Sequence, residues 1–147
     1  MHRMVAAALV AALALVLASC GGGEKTQTVS RAEVVRRLES ACRAGQREAV
    51  RQNQGRRGPI AFANAAHANL ETVLDQIGDL ETTGRSRADF DAYKAAVRVR
   101  LPALERIISA DGADRQRVIA REEAIIRPAT ARGYDAIGRL GAEHVCL

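Results

Sequence analysis

Three cysteines, three histidines and 17 carboxylates are the residues of this 147-residue chain that could carry chemistry. Their spacing decides what kind. Cys20, Cys42 and Cys146 form no Cys-x-x-Cys pair, and Cys42 has no histidine near it in sequence; only His144, two residues before Cys146, sits where it could activate a thiol. A di-iron bundle takes Glu-x-x-His from two helices plus two further glutamates. Asn64 stands three before His67 and Gly141 three before His144, so neither histidine completes that motif. His67 and Glu71 are one helical turn apart, a spacing that could hold a metal weakly, but a boundary histidine is the simpler reading. Glu105 and the Glu122-Glu123 pair have no evident partners in sequence. Gly-x-Ser-x-Gly, His-Glu-x-x-His and Walker-loop motifs are absent. No catalytic residue, cofactor site or metal site is therefore read, and a binding role is expected in preference to catalysis.

The elements around these residues begin with a leader. Met1-His2-Arg3 is a short basic opening, followed by an uninterrupted apolar run of 14 residues from Met4 to Leu17. A bilayer-spanning helix needs about 20 such residues, so the run fits a signal peptide better than a permanent span. Leu17-Ala18-Ser19-Cys20 resembles the bacterial lipobox, at the place where a signal peptide should end. That resemblance implies cleavage before Cys20 and its lipidation. Each buried methylene of an acyl chain contributes about 0.8 kcal/mol, so two or more chains anchor firmly without a spanning helix. Gly21-Gly22-Gly23-Glu24-Lys25-Thr26-Gln27-Thr28 then reads as a flexible tether, too polar and glycine-rich to bury a core. The expected organisation is a signal peptide over 1–19, a tether over 20–29 and a folded domain over 30–147.

Export changes the reading of the other two cysteines. In an oxidising compartment Cys42 and Cys146 are expected to pair. Closing a loop of roughly 100 residues contributes about 4–5 kcal/mol in the chain-entropy account. Charge narrows the partners. The net charge is +5, with Lys25 and Lys94 the only lysines, and the basic residues are interspersed with acids. A modest positive excess suits residence beside an anionic membrane or wall polymer and gives no support for nucleic acid.

With 48% hydrophobic residues, no Trp and no alternating strand pattern, the expected fold is all-α, an up-down-up-down four-helix bundle. Ser30-Arg31-Ala32-Glu33 has the form of a capping box opening a helix to about Asn53. Its apolar side carries Val34, Leu38, Ala41, Gly45 and Ala49, and its outer side Arg36, Arg43 and Arg47. Pro59 opens a second helix, with Phe62, Ala63, Ala66, Leu70, Val73, Leu74 and Ile77 as its stripe and an end near Glu81. Ser86-Arg87-Ala88-Asp89 starts a third, along Phe90, Tyr93, Val97, Leu101, Leu104, Ile107 and Ile108, with a kink or break expected at Pro102. After the Asp111-Gly112-Ala113-Asp114 turn, the stripe from Val118 to Leu140 makes a fourth. Glu122 is the exception on its face, and Pro128 and Gly133 are expected to bend or divide it. Phe62, Phe90, Tyr93 and Tyr134 are all expected in the core. An antiparallel bundle brings the end of the fourth helix beside the start of the first, close to Cys42.

The closing segment Gly133-Tyr134-Asp135-Ala136-Ile137-Gly138-Arg139-Leu140-Gly141-Ala142-Glu143-His144-Val145-Cys146, together with the lipobox, resembles small uncharacterised secreted or lipid-anchored helical proteins of actinobacteria. The resemblance implies a helical protein of the cell envelope, at the outer face of the membrane, and supplies no activity. The expected role is a non-catalytic interaction module, bound to the membrane through Cys20 and meeting another envelope protein or an anionic wall polymer. A small-ligand carrier with a cavity between the helices is the alternative, and a metal or redox protein a weaker one.

Overall fold

The computed structural model describes residues 26–142. Four helices dominate it: α1 (Arg31–Asn53), α2 (Pro59–Ile77), α3 (Ser86–Ile108) and α4 (Arg115–Leu140). Two three-residue strands, β1 (Gln27–Val29) and β2 (Leu80–Thr82), precede α1 and α3, and a single 3₁₀ turn (Gly112–Asp114) precedes α4. Among these residues no helix is long and apolar enough to cross a membrane.

Local chemistry accounts for the helix ends. Ser30 is extended and its Oγ accepts from the Glu33 N–H at 3.2 Å, while the Glu33 carboxylate is engaged by Arg36 and Arg37. Pro59 occupies the first turn of α2, where a missing N–H costs nothing. Gly141 closes α4 in the left-handed conformation (φ 86°), which glycine adopts without a Cβ penalty. Its N–H reaches the carbonyls of Ile137 and Gly138, both at 3.0 Å.

Helix α1 packs against α2, α2 against α3, and α3 against α4. Contacts between helix ends fix their alternating directions. The start of α1 meets the end of α4, where the Arg31 Nη2 donates to the carbonyls of Arg139 and Leu140 at 3.1 and 3.2 Å. The start of α3 meets the same end through Asp89 and Arg139, 2.6 Å apart. At the opposite end His67 of α2 faces Glu105 of α3, and Arg106 of α3 faces Glu122 of α4. Val34, Leu38, Val73, Ile77, Phe90, Val97, Ile137 and Leu140 form the centre of the core. Each such side chain contributes roughly 1.5–3 kcal/mol relative to exposure.

Several sequence expectations need correction. The end of the stretch read as tether is strand β1, which pairs in parallel with β2 in the register Gln27–Leu80, Thr28–Glu81 and Val29–Thr82. Helix α2 accordingly stops at Ile77 and does not reach Glu81. A buried lysine holds this ladder down: Lys94 Nζ donates to the Leu80 carbonyl at 2.7 Å, 3.6 Å from Asp91 and 4.7 Å from the centroid of the Phe90 ring. Helix α3 does open at Ser86, where the sequence places its start. Neither Pro102 nor Pro128 breaks its helix, and Gly133 does not divide α4. A proline removes one hydrogen bond; continuous packing of α3 on α4 holds the turns on both sides. Phe62 is 72% exposed and Tyr134 44%, so of the four aromatic residues only Phe90 and Tyr93 belong to the core.

Candidate functional site

All four helices contribute to one cavity near the middle of the bundle, of about 240 Å³. Helix α1 supplies Cys42 and Gln46, and α2 supplies Asn69, Leu70 and Val73. Tyr93, Ala96, Val97 and Arg100 come from α3, and Gly133 and Tyr134 from α4. Small residues leave the space. A Cβ on Gly133 would stand in ordinary contact, 3.4 Å from the Ala96 Cβ and 3.8 Å from the Tyr93 ring, so only a residue bulkier than alanine would press on α3. Tyr134 and Gln46 are exposed and form the mouth.

Arg100 gives the cavity its electrostatic character. It lies three residues after Val97 and four before Leu104, on the buried stripe of α3. Its Nε is buried without a hydrogen-bond partner. Burial pulls its pKa down, against the opposing influence of Tyr134 and Tyr93, and among the described residues no carboxylate contributes to its surroundings. An unpartnered buried donor costs roughly 1–3 kcal/mol, more when charged. Beside it, burial pushes the Tyr93 phenol up to about 12, with Arg100 pulling the other way. At neutral pH the site therefore presents a cation, a neutral phenol, amide groups and apolar walls.

The raised Tyr93 value makes a pH prediction. The native state keeps this proton while an unfolded chain loses it near pH 10. The associated stability is thus fully present below about pH 10 and lost as pH rises towards about 12. In a Tyr134→Phe variant, absorbance at 295 nm should show phenolate forming well above pH 10, coincident with alkaline unfolding. Titration of Tyr93 near 10 in the folded protein would contradict its burial.

The residues singled out in the sequence are dispersed. Cys42 lines the cavity and is disulfide-bonded; Cys20 and Cys146, like His144, lie outside the described residues. His67 sits on the α2–α3 boundary, its Nε2 3.3 Å from Glu105 and its Nδ1 3.8 Å from Glu71. Among the described residues no group of three His, Cys, Asp or Glu side chains is placed to hold a metal ion. Glu122 is completely buried, and its partners are Arg106 at 2.8 Å and Arg121 at 3.0 Å. The hydrogen bond from Arg106 is the main cause of its lowered pKa. Arg106 is 16 residues away in the chain, so the pair was invisible to helical spacing. Arg100, by contrast, could have been found, because a lone arginine on an apolar stripe is a legible signal. No protein-family model, curated protein or solved structure matches the chain.

Proposed function

We propose that this chain is a lipid-anchored protein of the outer face of the cell membrane, and that its helical domain binds a small ligand between the helices without catalysing a reaction. The observation that carries the binding role is the central cavity, reached by all four helices and lined by Arg100, whose Nε is buried without a partner. Ligand sites favour hollows between helices, and this one pairs the apolar Leu70, Val73 and Val97 with the polar Asn69, Tyr93 and Arg100. The anchor rests on the basic opening, the 14-residue apolar run and the lipobox ending at Cys20. The disulfide at Cys42 supports export, because such bonds persist in oxidising compartments.

Cys146 is the proposed partner of Cys42. Ala142 is buried at the end of α4, beside the start of α1. Four residues span at most about 14 Å and a disulfide adds about 5.5 Å between its Cα atoms, enough to cover the roughly 16 Å from the start of α1 to Cys42.

Replacing Cys20 with Ala should abolish palmitate labelling and move the protein from the membrane fraction to the soluble one. Unchanged labelling and fractionation would contradict the anchor. For the binding role, small molecules that raise the thermal midpoint of the exported protein should lose that effect in Leu70→Phe, which adds volume to the cavity wall. Retained binding in that variant would place the ligand elsewhere.

A second reading has its own observation. Val50 and Phe62, 74% and 72% exposed, flank the connection between α1 and α2, near Arg47, Arg51, Arg56 and Arg57. This tip suits docking of another envelope protein or an anionic wall polymer. Phe62→Ser should then reduce crosslinking in native membranes and leave ligand binding unchanged.

A further inference from the structure

We propose that the cavity takes a small organic monoanion, its charged end seated on Arg100 and its apolar body against Leu70, Val73 and Val97. The inference rests on the ligand-binding reading and specifies the ligand's chemistry. A cation would meet the Arg100 guanidinium without a carboxylate among the described residues to offset it. A purely apolar guest would leave the buried Nε unpartnered. A dianion would bring a second charge for which the described lining residues supply no second cation. One carboxylate satisfies the fork geometry of a guanidinium. The remaining walls are apolar or uncharged: Leu70, Val73, Val97, the protonated Tyr93 and Asn69. The volume, about 240 Å³, equals roughly eight waters and sets an upper size of a short-chain or single-ring acid. Approach is favourable too. Gln46 at the mouth also lines a shallow groove with Arg43, Arg47 and Val50, which places two cations on the outer path.

The test uses benzoate and benzamide, which share shape and differ in charge, titrated calorimetrically into the exported protein with its disulfide intact. Benzoate should bind at least about tenfold more tightly than benzamide, and Arg100→Met should weaken benzoate about 10- to 100-fold. Arg100→Lys should retain the preference for the acid. The comparison within the natural protein does not depend on how well either variant folds. Equal binding, or tighter binding of benzamide, would overturn the monoanion and leave the cavity as a ligand site. If benzoate, hexanoate and benzamide all fail to bind, the monoanion and the ligand-binding reading fall together. Binding of inorganic phosphate as tight as benzoate would overturn the need for an apolar body.

Discussion

Removing the Cys42 disulfide should destabilise the folded protein by about 2–5 kcal/mol, the usual loss for a small exported domain. For a helical domain of this size that is a fall of roughly 8–20 °C in the thermal midpoint. Cys42→Ser and Cys146→Ser should show the same loss, and the double variant should lose no more than either, because all three remove one bond. Non-reducing peptide mapping should recover the Cys42–Cys146 crosslink. A normal midpoint in Cys146→Ser with Cys42 still oxidised would assign the partner to Cys20, and the anchor would fall with it. Because Cys42 is part of the cavity wall, reduction should also weaken any ligand held there.

The second large effect is expected at Gly45, where α1 lies close against Asn69 of α2. A Cβ at this position would lie 2.2 Å from Asn69 Oδ1 and 2.6 Å from the Asn69 carbonyl oxygen. Two effects oppose each other on substitution. Alanine would gain about 0.5–1 kcal/mol of helix propensity over glycine. The Asn69 side chain could swing aside, but its backbone oxygen belongs to α2 and can move only with that helix. Overpacking of this kind costs typically 1–3 kcal/mol, so the clash wins. Gly45→Ala should be destabilised by about 1–2 kcal/mol, and Gly45→Val by about 3 kcal/mol or more, read from urea unfolding. An Ala variant as stable as the natural protein would show that the helices separate freely there.

Helix positions were legible because each apolar stripe repeats at three and four and each start carries a local signal. Ser30, Pro59 and Gly141 act where their chemistry says they should. What escaped depends on partners distant in sequence. Three-residue strands are too short for alternation to appear, and β1 exists only because α1 and α2 return the chain to lay Leu80–Thr82 beside it. The prolines were judged by their local cost alone, whereas the packing of α3 on α4 outweighs one missing hydrogen bond in each helix. Phe62 falls on the α2 stripe by spacing and Tyr134 sits at a helical position beside Gly133, yet both side chains are exposed, because spacing does not say how far a neighbouring helix extends over each position. The cavity itself had no linear signature, since it needs Gly133, Ala96 and Arg100 from facing helices at one level.

The short parallel ladder also limits how an anchored domain could move. With Gln27 pinned against Leu80, only six residues lie between Cys20, the proposed acylation site, and the first fixed residue. A chain that short reaches roughly 25 Å at full stretch. Helix α1, 23 residues long, carries the α1–α2 tip about 34 Å further from that point. With the proposed lipid on Cys20, the ladder would act as a collar on the leash: one end of the bundle would stay near the lipid headgroups, and the opposite end would be free to reach what lies beyond the bilayer.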